Sequence, residues 1–157
     1  MIGVIKTGDM APDFSLRDNH DQIVHLNDYR GKKVLLSWHP IAWTSVCTDQ
    51  MRSLEVNAEE FQTLNAVAFG MSVDPSACKK AWATVLCIND ITLLSDFWPH
   101  GKVARDYGIF AEEFGKSQRV NIIIDEEGIV RWVKVYPISQ LPDIREVLQA
   151  IRDIDKK

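Results

Sequence analysis

Residues 38–48 read Trp-His-Pro-Ile-Ala-Trp-Thr-Ser-Val-Cys-Thr, and the rest of the chain is organised around this stretch. The largely apolar residues 34–37 before it predict a buried strand, and residues 49–56 after it predict the first turns of a helix. Cys47 is therefore expected where a strand turns into a helix. Backbone N–H groups at the start of a helix lack partners within the helix, so they favour a thiolate over a thiol. The stretch predicts a reactive cysteine.

Length and composition restrict the class of protein. The chain has 157 residues, 46% hydrophobic and 25% charged, which is typical of one globular domain spanning residues 1–157. The net charge of −4 is spread along the chain, so neither nucleic acid nor an anionic membrane is expected as a partner. No apolar run approaches the roughly 20 residues that span a bilayer, and residues 1–10 lack the apolar core of a signal peptide. We therefore expect a cytoplasmic protein.

The cysteines agree with that location. Cys47, Cys78 and Cys87 are an odd number, unlike the dense even sets that staple secreted domains. The chain has no Cys-x-x-Cys motif, and its histidines are scattered rather than clustered with cysteines. A zinc site is therefore not predicted.

The order of the predicted elements indicates an α/β fold. Two short strands near residues 14–16 and 23–26 form an N-terminal β-hairpin. Strands and helices then alternate, with strands at 34–38, 66–73 and 93–94 and helices at 44–64, from 74 onward and at 102–107. A hairpin of strands at 119–125 and 129–136 follows, and Pro142-Asp143 opens a final helix. This order predicts a central mixed β-sheet flanked by helices on both faces.

Two helix starts and one apolar stripe refine this prediction. Thr44 is predicted to cap the first long helix, and Asp74 the second, with Pro75 at its first helical position. The second helix carries an apolar stripe at positions i, i+4, i+7 and i+8, formed by Cys78, Trp82, Val85 and Leu86. We therefore interpret Cys78 as buried and Cys87, near the helix end, as the more accessible thiol.

The pattern Pro40-x-x-x-Thr44-x-x-Cys47 resembles the active-site signature of the peroxiredoxins, thiol peroxidases of the thioredoxin superfamily. The resemblance extends over nearly the whole chain and implies a thioredoxin-like fold. Residues 93–101 further resemble the branch of one-cysteine, AhpE-like enzymes. The other landmarks are Gly8–Leu16, Val73–Asp74, Leu94–Asp96, Ala104–Gly108 and Arg119.

The resemblance implies a reaction and a set of catalytic residues. The Cys47 thiolate attacks a peroxide oxygen, which forms a sulfenic acid and releases water or an alcohol. Arg119 supplies a fixed positive charge beside the thiolate and the peroxide. The Thr44 hydroxyl and the backbone N–H groups hold the peroxide in line, and Pro40 shields the turn from water. The reaction requires no metal and no organic cofactor.

Two neighbours of the signature have less definite roles. Gln50, one turn beyond Cys47, either orients Arg119 or occupies a solvated helix position. His39 could titrate near neutrality and act as a base. Its place in the strand, and a cysteine already activated by a helix end and an arginine, favour a packing or hydrogen-bonding role instead.

The way in which the sulfenic acid is reduced remains open in the sequence. The position five residues after Cys47 is Arg52, and the C-terminal third has no cysteine. We therefore favour a one-cysteine mechanism with an external thiol, such as thioredoxin, glutaredoxin or a low-molecular-weight thiol. An intramolecular disulfide with Cys78 or Cys87 is the alternative.

Three functions can be weighed. The first is a thiol-dependent peroxidase for hydrogen peroxide and organic hydroperoxides, and the second is a redox sensor in which oxidised Cys47 alters a partner interface. The third, a disulfide oxidoreductase, is disfavoured because Cys-x-x-Cys is missing. The resemblance also suggests a homodimer whose aromatic surface includes Trp43, Phe97 and Trp98.

Overall fold

A computed structural model describes residues 3–156 of the chain. The strands are β1 (Ser15–Asp18), β2 (Ile23–His25), β3 (Lys33–Trp38), β4 (Ala66–Ser72), β5 (Thr92–Ser95), β6 (Phe110–Ala111), β7 (Lys116–Ser117), β8 (Arg119–Ile124) and β9 (Val130–Tyr136). The helices are α1 (Ser45–Val56), α2 (Ala58–Thr63), α3 (Ser76–Leu86), α4 (Lys102–Asp106) and α5 (Ile144–Ile154), with a short 3-10 helix at Leu26–Tyr29.

Seven of these strands form one mixed sheet in the order β2-β1-β5-β4-β3-β8-β9. The three central strands β3, β4 and β5 run parallel, whereas β8 pairs antiparallel with β3. Every residue of β3 and β8 is buried, as expected for apolar strands covered on both faces. The predicted mixed sheet flanked by helices, with its N-terminal hairpin, is therefore confirmed.

Two apolar clusters cover the two faces of the sheet. Successive side chains of a strand point to opposite faces, so Leu35 joins the cluster formed with α1, α2, α3 and α5. Leu36 joins the other cluster, formed with α4 and the N-terminal segment. Each such fully buried aliphatic side chain contributes about 2 kcal/mol through removal of apolar surface from water. The two clusters hold β3, and hence the segment that follows it, in a fixed position.

The first long helix is interrupted, contrary to the prediction of one helix over residues 44–64. Asn57 ends α1 with φ −102° and ψ 14°, and α2 begins at the next residue. The Asn57 side-chain amide donates to the carbonyl of Ser53 at 2.7 Å, which satisfies that carbonyl at the helix end. A second difference is the short β6–β7 ribbon, which the sequence did not predict.

The buried face of α3 also differs from the predicted stripe. Val85 is 61% exposed, and the face that packs on the sheet contains Lys79, Trp82, Ala83 and Leu86. These four residues are spaced i, i+3, i+4 and i+7. The pattern of apolar residues did not reveal this face, because its first residue is a lysine. The helix begins at Ser76 with Pro75 as its cap residue, so the predictions of Asp74 as the cap and of Pro75 at the first helical position were wrong. Among residues 3–156, no helix is both long and apolar enough to cross a membrane.

Candidate active site

Cys47 is the third residue of α1, directly after the segment that leaves the carboxyl end of β3. Its thiol is free and only 1% exposed. The first N–H groups of a helix have no carbonyl partners one turn earlier, so their partial positive charge lies near this sulfur. The sulfur is thus enclosed by protein at the start of α1.

Arg119 lies against the sulfur although it is remote in sequence. Its Nη1 atom is 3.3 Å from Cys47 Sγ, and the side chain is 3% exposed. The antiparallel pairing of β3 with β8 explains this placement, because Trp38 at the end of β3 is opposite Val120. Arg119, the first residue of β8, is thereby brought to the same sheet edge as Cys47. The pairing places a permanent positive charge beside the thiol.

The guanidinium of Arg119 is held by two further acceptors. Its Nε and Nη2 atoms donate to the carbonyl of Ile138 at 3.1 and 2.7 Å. Its Nη1 atom also donates to Gln50 Oε1 at 2.8 Å. Gln50 is 1% exposed, and its amide nitrogen donates to Ser37 Oγ at 2.8 Å. Of the two roles expected for Gln50, the structure therefore supports orientation of Arg119 and excludes a solvated position.

Thr44 and Pro40 occupy the segment between β3 and α1. Thr44 is the residue before the first turn of α1, as predicted, but its side chain does not cap the helix. Its hydroxyl donates instead to the carbonyl of Ile41 at 2.8 Å, and the residue is exposed. Pro40 is buried within the turn. Only Cys47 and Arg119 of the four predicted catalytic residues are joined by a hydrogen bond here.

A buried polar cluster lies beside this segment, and the sequence analysis did not identify it. His39 is fully buried, and its Nε2 atom is 2.9 Å from Lys79 Nζ. Lys79 is fully buried as well, and its Nζ donates to Ser72 Oγ at 2.7 Å. His39 thus has the hydrogen-bonding role that was favoured over a role as base. The spacing of Lys79 from Trp82 and Leu86 was the signal that could have revealed the buried lysine.

Burial shifts the protonation equilibria of this pair. Desolvation, and then the charge of Lys79, hold the pKa of His39 well below its ordinary value, so the ring is neutral at neutral pH. Desolvation lowers the pKa of Lys79 to about 7, while the charges of Asp74, Cys47 and Cys78 oppose that fall. The lysine therefore changes charge in the physiological range of pH.

The two other cysteines lie on α3 and at its end. Cys78 is half-buried, and burial followed by the charge of Asp74 raises the pKa of its thiol. Cys87 is exposed and ends the helix in a left-handed conformation with φ 56°. Cys87 is thus the more reachable thiol, as expected, whereas the interpretation of Cys78 as buried was wrong.

A thioredoxin-like sheet with a buried cysteine–arginine pair at its carboxyl edge defines a class of thiol-based redox proteins. The AhpC/TSA family model matches residues 7–133. Alkyl hydroperoxide reductase E of Mycobacterium tuberculosis is 38% identical over 143 residues, which cover 90% of this chain and 93% of the relative. The chain therefore belongs to the AhpC/TSA family, and the resemblance to peroxiredoxins and to their AhpE-like branch is confirmed.

More distant relatives have the same fold. Peroxiredoxin-1 of Gallus gallus is 34% identical over 155 residues, which cover 92% of this chain and 75% of the relative. The crystal structure of the reduced 2-Cys peroxiredoxin of Plasmodium vivax superimposes with a TM-score of 0.86 at 28% identity. That alignment covers 96% of this chain and 82% of the other. Family and fold thus agree over almost the whole chain.

Proposed function

We propose that this protein is a thiol-dependent peroxidase that reduces hydrogen peroxide and organic hydroperoxides at Cys47. The observation that carries the proposal is the 3.3 Å contact between Arg119 Nη1 and Cys47 Sγ in a chain of the AhpC/TSA family. A guanidinium held by three hydrogen bonds to Ile138 and Gln50 cannot turn away from the sulfur without losing them. Its charge therefore acts on the reacting atoms without reorganisation.

The reaction follows from the chemistry of these groups. The Cys47 thiolate attacks one oxygen of the peroxide, the S–O bond forms and the O–O bond breaks. The leaving oxygen takes the electron pair and a proton and departs as water or an alcohol, while Cys47 becomes a sulfenic acid. Arg119 stabilises the negative charge that develops along the S–O–O axis. We assign Thr44 to the peroxide as a hydroxyl donor and acceptor, and Pro40 to the exclusion of water.

An external thiol completes the cycle in this proposal. It condenses with the sulfenic acid and releases water, and a second thiol then reduces the mixed disulfide. Thioredoxin, glutaredoxin and low-molecular-weight thiols are the candidate reductants. The sequence supports this one-cysteine route, because the position five residues after Cys47 is Arg52 and the C-terminal third has no cysteine. Intact mass after one equivalent of peroxide decides the matter: gain of one oxygen supports the route, and loss of two hydrogens indicates an intramolecular disulfide.

Three further properties belong to the proposal. Residues 1–157 form a single domain, supported by the one large sheet and its two covering clusters. The protein acts in the cytoplasm, since three free cysteines suit a reducing compartment. It acts as a homodimer through exposed aromatic side chains: Trp43, Phe97 and Trp98 are 51%, 47% and 81% exposed.

Stopped-flow tryptophan fluorescence tests the peroxidase proposal, because Trp43 lies four residues from Cys47 in the same segment. We expect hydrogen peroxide to oxidise the wild-type protein at least ~10³ times faster than it oxidises a free thiol, given the activating charges. Cys47→Ser should abolish the signal, and Cys87→Ser should leave it unchanged. Oxidation no faster than that of a free thiol would contradict the proposal. Rapid oxidation without recycling by any thiol would identify a peroxide sensor instead.

A further inference from the structure

Lys79 begins a chain of hydrogen bonds, buried at Lys79 and partly buried at Asp74, that reaches the segment carrying the active-site turn. Its Nζ atom contacts Ser72 Oγ at 2.7 Å, and Ser72 Oγ contacts Asp74 Oδ2 at 2.7 Å. The same carboxylate oxygen accepts the backbone N–H of Ala42 at 2.8 Å. Lys79 also contacts His39 at 2.9 Å. These hydrogen bonds therefore hold His39, directly before Pro40, and Ala42, two residues after it.

The donors and acceptors of this chain have a single consistent direction. Asp74 can only accept, so the Ser72 hydroxyl donates to it and accepts from Lys79. The neutral His39 ring likewise accepts at Nε2 from Lys79. An ammonium group supplies both hydrogen bonds while retaining its positive charge, which balances the Asp74 carboxylate at the far end. A neutral amine removes that balance and one donor proton, so the chain weakens when Lys79 loses its proton.

The groups held by this chain belong to the active-site segment. His39 directly follows β3, its N–H donates to the carbonyl of Met71 at 2.9 Å, and its carbonyl accepts from Ser117 Oγ at 3.2 Å. Cys47 lies five residues beyond Ala42, at the first turn of α1. A shift of this segment therefore moves the first turn of α1 relative to Arg119, and small displacements of reacting groups have large effects on rate.

We propose that Lys79 is a positioning residue for the peroxidase reaction: its ammonium holds the His39–Ala42 segment, and through it Cys47, in the reactive arrangement with Arg119. Deprotonation of Lys79 releases the segment and slows the oxidation of Cys47. This inference rests on the proposed function and adds to it a residue that does not touch the peroxide.

The charges around Lys79 determine the pH at which this happens. Desolvation lowers its pKa to about 7, and Asp74, Cys47 and Cys78 act in the opposite direction. His39 faces it from the end of β3 and is neutral, since burial, Lys79 and Arg119 all lower its pKa. Loss of the Lys79 charge therefore predicts that the oxidation of Cys47 becomes slower above about pH 7.

The test measures the rate constant of Cys47 oxidation by hydrogen peroxide between pH 5 and pH 9 in wild type, Lys79→Met, Lys79→Arg and Lys80→Met. We expect Lys79→Met to be roughly tenfold slower at pH 6 and to lack the decrease above pH 7. Lys79→Arg should also lack the decrease but react faster than Lys79→Met, because a guanidinium stays protonated. Lys80→Met, one position along α3 on the exposed surface, should match wild type.

The outcomes separate the two proposals. Slow oxidation of wild type would contradict the proposed function, whereas fast oxidation with the same pH profile in wild type and Lys79→Met would overturn the role of Lys79. Ser72→Ala interrupts the hydrogen bonds between Lys79 and Asp74 without removing a charge, and it should reproduce the slower rate. This variant replaces Lys79→Met in the test if Lys79→Met does not fold. A Ser72→Ala variant with the wild-type rate and pH profile would equally overturn the inference.

Discussion

The two ends of strand β3 each bury a lysine, but in opposite electrostatic settings. Lys33 begins the strand and is 2% exposed, with its Nζ 3.0 Å from Asp155, 3.4 Å from Glu126 and 2.9 Å from the carbonyl of Leu64. Lys79 contacts His39, just beyond the other end, and is 0% exposed. Within residues 3–156, no carboxylate lies within ion-pair distance of it.

The two buried lysines have different roles because their partners differ. Two carboxylates compensate the charge of Lys33 and connect β3 to the C-terminal helix and to the β8–β9 turn, so this end serves stability. Lys79 has only neutral contacts, and desolvation lowers its pKa to about 7. Buried ionisable groups without an opposite charge beside them have shifted pKa values, and such groups concentrate at functional sites. Each of the following experiments separates the two ends.

The largest expected effect is on the reaction at the carboxyl end. Arg119→Gln removes the charge beside Cys47 and should slow oxidation by peroxide ~10²–10³-fold, as observed for the loss of one preorganised donor to a developing negative charge. Stopped-flow fluorescence measures the rate. Arg131→Gln is the matched control. Arg131 is also a strand arginine, but its side chain pairs with Asp125 at 2.6 Å, at the other end of β8 from Arg119. A rate in Arg119→Gln within twofold of wild type would remove Arg119 from the mechanism.

A smaller effect is expected on stability at the amino end. Lys33→Met removes the cation between Asp155 and Glu126 and leaves the carbonyl of Leu64 without its donor. We expect the free energy of unfolding in urea to fall by about 2 kcal/mol, less than for a fully buried pair, because both carboxylates regain water. The peroxide oxidation rate should not change. Lys32→Met, on an exposed neighbour, is the control, and equal stability of the two variants would contradict the assigned role of Lys33.

The smallest effect, taken over one pH unit, concerns how stability depends on pH at the carboxyl end. The pKa of Lys79 is lowered from 10.5 to about 7 by folding, so between these values the unfolded chain binds one more proton than the folded protein. The free energy of unfolding of wild type should therefore rise relative to that of Lys79→Met, by at most about 1.4 kcal/mol per pH unit. No such rise is expected below pH 7, where both states are protonated. Urea unfolding at several pH values measures the slope, and Lys80→Met should parallel wild type.

Much of the fold was predictable because it depends on local patterns. Continuous apolar runs identified β3, β4 and β8, and Gly128, with φ 85°, makes the turn that joins β8 to β9. The break at Asn57 was not predictable, because the periodicity of apolar residues continues across it. The buried face of α3 was missed for a related reason: a lysine occupies one of its four inward positions.

The sequence by itself determined that Cys47 starts a helix after a buried strand, because strand pattern, turn and helix start all depend on neighbours within a few residues. Only the tertiary structure decided which groups meet that cysteine and its segment. Arg119 is 72 positions from Cys47, and Lys79 is 40 positions from His39. Such contacts depend on strand register and helix packing. A slip of one residue in the pairing of β3 with β8 would turn Arg119 to the opposite face of the sheet.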